Sequence, residues 1–389
     1  MDQWETFRDK DITPVGVWRD FFALHFGDQI GLLENTPQDP IYHAEGDVWT
    51  HTQMVVDEVE KTQRFLSGSP TEQYVLSLAA MLHDIAKPQT TQTLNGKIIA
   101  PSHSKKGAVW ARQALWSMGV PKEIREQVCA LISYHQIPFY AMSDDTGMRG
   151  EFLARKLSCD TDISLLCALA EADIRGRICQ DQQKILDDIE LFALLAQELD
   201  CFHKPYSFPN STTRSHYVRK LGHIDANTPV YDKDQFMVYV LTGLPASGKD
   251  TWSNQSGLPV LSYDKMREEL GKKHGQDTGM IVYAVQERAK ELLRKKQSFV
   301  WNATFLTSQM RNPVCELIRN YGGKVCFVCT EENKEELLRR NSLRDTSLRN
   351  DKLLQMSKMW EMPFAWEGDE MIMVKPILKP QPSKIGAKK

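Results

Sequence analysis

The sequence predicts a multidomain protein of α and α/β class, an all-helical first half followed by a parallel-sheet second half. Three observations lead there. From Asp47 to Leu199 the apolar residues recur at helical spacing and strand signals are nearly absent. From Phe236 onward, short apolar runs of strand type alternate with helical ones, the pattern of a parallel α/β sheet. Between the halves, His203–Asp234 carries Pro205, Pro209 and Pro229 with weak periodicity and marks a junction. The expected divisions are a helical domain over 1–205, a junction over 206–234, a sheet domain over 235–378 and a disordered tail over 379–389.

The clearest helical runs of the first half are Tyr74–Leu82 and Ile185–Leu195. In the second half the predicted strands are Phe236–Thr242, Pro259–Ser262, Phe299–Asn302, Lys324–Thr330 and Met371–Val374. Helices Thr278–Lys296 and Glu331–Arg340 stand among them. The Met- and Trp-rich segment Gln355–Trp366 reads as core packing rather than as a platform for stacking bases.

Length and composition bound the rest. A chain of 389 residues holds two or three domains, and 41% hydrophobic with 25% charged content describes an ordinary soluble protein. A net charge of −3 excludes a globally basic nucleic-acid binder and leaves a local basic site open. No stretch approaches the ~20 apolar residues of a membrane span, and Met1–Lys10 is too polar and acidic for a signal peptide. A cytoplasmic location without membrane contact is expected. The eight cysteines form no framework, which fits reduced thiols. Cys326 and Cys329, three apart on a predicted strand, point to opposite faces and are not expected to share a disulfide or a metal.

Gly243-Leu-Pro-Ala-Ser-Gly248-Lys249-Asp250-Thr251 carries the sharpest local chemistry. It follows a predicted buried strand and opens a helix, the context of a phosphate-binding loop. There backbone N–H groups of a loop through Gly243, Ser247 and Gly248 cradle phosphate oxygens, and Lys249 reaches the β- and γ-phosphates. ATP or another NTP with Mg²⁺ is the implied ligand. Ser or Thr usually follows the lysine and ligates Mg²⁺; here Asp250 does, with Thr251 behind it, and a carboxylate can hold the ion directly or through water.

In the first half, His51, His83-Asp84, His103, His135 and Asp173 lie on or beside helical runs. Imidazoles and carboxylates converging from several helices suit a transition metal such as Mn²⁺, Ni²⁺, Co²⁺, Fe or Zn²⁺. These residues and their local wording, Trp49-Thr-His-Thr52, Leu82-His-Asp-Ile-Ala-Lys87 and Ala172-Asp-Ile-Arg-Gly-Arg177, resemble the HD-domain phosphohydrolases over roughly residues 40–200. The resemblance implies His51, His83, Asp84 and Asp173 as the metal ligands, with His103 and His135 as those of a second metal. His43 is a rival for the first ligand, with flanking residues that fit less well. Lys87, Lys105, Lys106, Arg175 and Arg177 are the candidates to bind a substrate phosphate.

The second half resembles polynucleotide 5′-kinases of the RNA-repair type over residues 236 to about 360. Asp264-x-x-Arg267 matches the pair in which the carboxylate activates a 5′-hydroxyl and the guanidinium binds the neighbouring phosphate. Arg340-Asn-Ser-Leu-Arg344 matches a lid whose arginines touch the ATP phosphates. Asn302-Ala-Thr304 stands where the family usually has Asp, a second departure beside Asp250. Together the halves resemble the bacterial HD-Pnk family, bifunctional enzymes of RNA end healing. That implies a 5′-hydroxyl kinase joined to a metal-dependent 2′,3′-phosphoesterase, acting on RNA or DNA ends with an NTP donor and serving a separate RNA ligase. Two other readings stay open: a nucleotide phosphohydrolase fused to a small-molecule kinase, and an HD hydrolase governed by a nucleotide-sensing loop.

Overall fold

The computed structural model describes residues 17–143, 148–231, 236–272, 276–344 and 347–374. The tail expected over 379–389 and the expected domain start at 235 lie outside them. Contacts divide the chain into two units, Met1–Lys233 with Gln355–Asp369, and Asp234–Leu354 with Glu370–Lys389.

In the helical unit the elements are α1 (Trp18–Glu34), α2 (Val48–Val59), α3 (Pro70–Leu82), the hairpin β1 (Gln92–Leu94) and β2 (Lys97–Ile99), α4 (His103–Ser117), α5 (Lys122–Tyr134), α6 (Met148–Leu157), α7 (Ile163–Arg175), α8 (Gln182–Glu198) and α9 (Ser211–Arg219). Their starts follow capping chemistry. Asp47 accepts from the Thr50 N–H ahead of α2, and Ser69 with Glu72 forms a reciprocal capping box around Pro70 at the head of α3. Asp162 caps α7 in the same manner.

Helices α3 and α7 are buried almost all round, through Val75–Leu82 and Ile163–Ala170, so they must run through the core rather than over it. They pack against each other and against α2 and α5. Gly176, just past α7, makes this approach possible: a Cβ there would sit 2.8 Å from Val55 Cγ2 and 2.9 Å from the Val55 N. The ends of these central helices carry His83-Asp84 and Asp173.

Beyond the sequence reading lie the β1–β2 hairpin, in a half expected to be all-helical, and two further features. Helix α9 falls within 206–234, where weak periodicity predicts none; it is short, capped by Asn210 onto the Thr213 N–H, and buries Tyr217 and Val218. The segment Gln355–Asp369 groups with the helical unit. There Trp360 is buried, edge-on to Trp116 and under the Arg112 guanidinium at 3.7 Å. Asp160 accepts from the Ala365 N–H at 2.6 Å and the Tyr134 hydroxyl at 3.1 Å.

The other unit is a five-stranded sheet flanked by helices. Its elements are β3 (Met237–Thr242), α10 (Lys249–Gln255), β4 (Val260–Ser262), α11 (Tyr263–Glu269), α12 (Thr278–Arg294), β5 (Phe299–Asn302), α13 (Ser308–Asn320), β6 (Lys324–Thr330), α14 (Lys334–Ser342), α15 (Asn350–Ser357, which crosses between the units) and β7 (Glu370–Val374). The strand order is β4-β5-β3-β6-β7 and every pair is parallel. Strand β5 is buried throughout and β6 nearly so, as parallel strands covered on both faces must be. Helix α12 buries Ile281, Val285, Ala289 and Leu293, one stripe at four-residue spacing. The chain leaves central β3 for one side of the sheet and later returns to the other. The crevice at that switch point, beyond the strands' C-terminal ends, is where such sheets bind ligands. Cys326 and Cys329 lie buried in β6, and no disulfide joins any of the eight cysteines.

Candidate active sites

In the helical unit, α2 supplies His51, the end of α3 supplies His83 and Asp84, the start of α4 supplies His103, the end of α5 supplies His135, and α7 supplies Asp173. All six side chains are buried. His83, His103 and His135 each place Nδ1 2.7–2.8 Å from a backbone carbonyl three residues earlier, of Ala80, Ala100 and Ile132. A carbonyl only accepts, so Nδ1 carries a proton and Nε2 is the ring nitrogen turned inward. His83 Nε2 then lies 3.3 Å from His51 Nε2, and His103 Nε2 lies 3.4 Å from His135 Nε2. Ring nitrogens gathered this closely, with the carboxylates of Asp84 and Asp173 beside them, are a donor set suited to a cation.

Asp84 points to the same conclusion. Neither of its buried oxygens makes a hydrogen bond, although Lys87 Nζ lies at 2.7 Å, His83 Nε2 at 3.2 Å and His103 Nε2 at 3.3 Å. The ligand atoms of His51, His83 and Asp173 fall within 4.8 Å of one another, and so do those of Asp84, His103 and His135. Two such groups of nitrogen and oxygen donors fit one or two divalent transition metals.

Electrostatics prepares the ligands. Burial lowers the pKa of His103 and takes that of His135 down to about 3, leaving neutral rings free to ligate. Asp84 and Asp173 stay ionised well below the usual carboxylate range. Burial opposes this, but His83 and Lys87 hold Asp84 down and Arg177 and His51 hold Asp173 down. Burial likewise opposes a proton on His51, yet hydrogen bonds to Asp173 and Glu45 outweigh it and raise its pKa.

Of the five cations weighed as phosphate binders, two stand at the cluster, and both are engaged. Lys87 bridges Asp84 and the Gln38 Oε1, the latter at 2.6 Å. Arg177 grips both oxygens of Asp173 at 2.8 Å. Arg175 pairs with Glu171 on the surface, and Lys105 and Lys106 are exposed. Lys87 and Arg177 therefore offset the charge of the ligand carboxylates.

Sequence reasoning missed Glu45. Its Oε1 lies 3.2 Å from His51 Nδ1 and 2.7 Å from His43 Nδ1, and its Oε2 accepts the Ile178 N–H at 2.9 Å. It thus joins the head of α2 to the loop after Asp173 and steadies the His51 ring. His43 sits one carboxylate behind His51, which explains its rivalry in sequence. Glu45 lies in an irregular stretch where no periodicity points to it. Glu45→Gln should lower metal affinity roughly 10–100-fold. Metal titration of the purified protein measures this, and an unchanged affinity would reduce Glu45 to a brace for the loop.

In the sheet unit the loop between β3 and α10 has the backbone that phosphate binding needs. Gly243 has φ 150°, and a Cβ there would fall 2.3 Å from the Thr330 carbonyl oxygen. Ala246 and Gly248 adopt left-handed φ of 66° and 105°, curling the loop so that N–H groups can face inward. Ser247 is braced by the Thr330 hydroxyl at 2.6 Å. Lys249 is buried and folds over its own loop, donating to the Gly243 and Leu244 carbonyls at 2.9 and 2.6 Å. Burial lowers its pKa to about 8, while the charges of Asp250 and Asp264 raise it and that of Arg344 lowers it further. Residues from three separate segments therefore act electrostatically on Lys249.

Asp264 opens α11, where Ser262 caps its N–H, and its Oδ1 meets Arg267 Nη1 at 2.6 Å. Arg340 pairs with Glu332 at 2.5 Å and Glu336 at 2.8 Å, so the structure commits it to glutamates. Thr251 is exposed on the first turn of α10. Asn302, the last residue of β5, donates to Asp250 Oδ1 at 2.7 Å.

Comparison with known proteins agrees with this division. Residues 48–174 match the family model of the HD domain, and residues 238–362 match that of an AAA domain. None of the curated proteins matches the chain. A crystal structure from Chloroflexus aurantiacus, of a protein named as a kinase, is 19% identical and covers 36% of this chain and 86% of that one. Its TM-score is 0.31, a likeness too slight to bear on function. The chain thus carries an HD hydrolase domain and a kinase-like P-loop domain; HD domains bind divalent metals, and the P-loop domain binds nucleotide. Among the described residues, no helix is long and apolar enough to cross a membrane.

Proposed function

We propose that this protein heals nucleic-acid ends, RNA above all. Its P-loop domain phosphorylates a 5′-hydroxyl from ATP, and its HD domain removes a 2′,3′-cyclic or 3′-phosphate. Nucleases leave these ends, and a separate ligase needs the reverse pair. The observation that carries the reading is the Asp264–Arg267 pair at 2.6 Å, beside a P-loop lysine that feels the charge of Asp264. A carboxylate with a cation three residues along suits an acceptor that brings its own phosphate. A small nucleoside gives that arginine nothing to hold.

In the kinase half, Arg267 turns from its carboxylate partner to the acceptor's phosphate as the acceptor binds, and Asp264 accepts the hydroxyl proton. Lys249 and Arg344 place positive charge along the transferred phosphoryl group. In the HD half, His51, His83, Asp84, His103, His135 and Asp173 would hold the metal. A divalent ion bound there supplies hydroxide near neutral pH and offsets charge on the attacked phosphoryl group. Buried Lys87 and Arg177 keep the ligand carboxylates ionised.

The test uses an RNA oligonucleotide with a 5′-hydroxyl and a 2′,3′-cyclic phosphate, incubated with γ-labelled ATP, Mg²⁺ and Mn²⁺. The expected result is label at the 5′ end and a free 3′-hydroxyl. Asp264→Ala should then slow phosphorylation by about 10²–10⁴-fold, the usual worth of a general base. Arg267→Ala should mainly weaken oligonucleotide binding. If folded, metal-replete protein alters neither end while consuming free nucleotides, the small-molecule or sensor reading replaces this one.

A further inference from the structure

Asp250 and Asn302 both depart from the usual pattern of a P-loop kinase, and the structure puts them in contact. Asn302 ends β5, which pairs directly with β3, so its side chain emerges beside the loop that β3 feeds. It is buried, whereas Asp250 is exposed on the first turn of α10. The Asn302 Nδ2 lies 2.7 Å from Asp250 Oδ1 and 3.5 Å from Ser253 Oγ. A carboxylate can only accept, so the amide must turn its NH₂ toward Asp250, and the orientation of Asn302 is settled by its partner.

P-loop enzymes usually hold Mg²⁺ with a hydroxyl just after the lysine and a carboxylate at the end of another strand. This chain has one carboxylate and one neutral side chain at the same two places, in exchanged order. We infer that Asp250 and Asn302 are a matched exchange, in which Asp250 supplies the carboxylate for the kinase's divalent cation and Asn302 holds that carboxylate in position.

Each residue makes sense only beside the other. With Asp at both places, two carboxylates would meet at hydrogen-bonding distance and one would be driven to hold a proton. With Ser at 250 and Asn at 302, no carboxylate would remain to balance the ion. In the pair as found, Asn302 satisfies Oδ1 and leaves Oδ2 for the cation. Asp250 then offers charge from the helix that follows the loop rather than from the sheet. It also acts directly on Lys249, its chain neighbour, so the cation and the lysine are balanced against the same carboxylate. The two departures, which singly suggest a weakened site, together keep its charge intact.

This inference rests on the kinase reading, and its test separates the two. The Mn²⁺ binding that depends on ADP, over that of the HD cluster measured without ADP, would be followed by electron paramagnetic resonance in the full chain, alongside binding of ADP without metal. Asp250→Asn, which keeps the shape, and Asp250→Ser should each lower Mn²⁺ affinity at least about tenfold, a larger loss than either causes in metal-free ADP binding. The double variant Asp250→Ser with Asn302→Asp should recover Mn²⁺ affinity to within about threefold, because it restores the common arrangement. Unchanged Mn²⁺ affinity in Asp250→Asn, or a double variant as weak as Asp250→Ser, overturns the exchange. A wild-type chain that binds no ADP sinks the kinase reading itself, and the inference falls with it.

Discussion

Asp84→Ala yields a folded helical domain that holds little metal and hydrolyses phosphoesters on the order of 10³-fold more slowly, as expected when several kcal/mol of charge stabilisation are lost. The reason is the central place of this carboxylate. It lies within 3.3 Å of both His83 and His103, so it touches both candidate ligand groups, and Lys87 pairs with it at 2.7 Å. The fold should tolerate the change. Lys87 loses its Asp84 partner but keeps its bond to Gln38, a loss of stability that the large helical core absorbs. Metal content, circular dichroism and turnover of a chromogenic phosphodiester measure the outcome. Undiminished turnover at normal metal content would dismiss the cluster as the hydrolytic centre.

Lys249→Ala should be as damaging to the other half, costing roughly 10³-fold in phosphoryl transfer, at the lower end of what a cation on the γ-phosphate contributes. Hydrolysis by the HD domain should be untouched. A pH dependence follows from the same residue. Lys249 grips phosphate only when charged, and burial takes its pKa to about 8 in the nucleotide-free protein. Below that pH it is already protonated and affinity is flat; as pH rises through about 8, nucleotide must restore the proton, so affinity falls. Calorimetric titration of ADP across pH 6.5–9.5 reads this directly. A flat profile would mean that the lysine leaves its carbonyl partners for water before nucleotide arrives.

Much of this architecture is legible in the residues. Strand β5 and strand β6 have the predicted ends, because parallel strands buried on both faces show as unbroken apolar runs bounded by polar residues. The buried helix α3 stands out as the run Tyr74–Leu82 for the same reason, and α8 as the periodic run Ile185–Leu195. Of the candidate site, the histidines and aspartates were visible because they adjoin strong helical runs, and the phosphate loop because glycines and a lysine recur at fixed offsets.

What was hidden depends on distant contacts. Glu45 gains meaning only when the loop after α7 folds back to it, and nothing near it in sequence signals that return. Lys87 and Arg177 look like free cations until their carboxylates are seen. The weight of Asp250 could not be judged while Asn302, 52 residues later, was read as an unrelated departure.

Residues Gln355–Asp369 belong to the helical unit although they follow most of the sheet unit, and β7 comes after them. The chain therefore passes from one unit to the other three times, and neither is a continuous stretch of gene. A fragment ending near the first crossing would lack the indole of Trp360 over Arg112 and the backbone partner of Asp160. A fragment beginning there would carry a segment with nothing of its own to cover it. A single cut in the chain therefore frees neither unit whole.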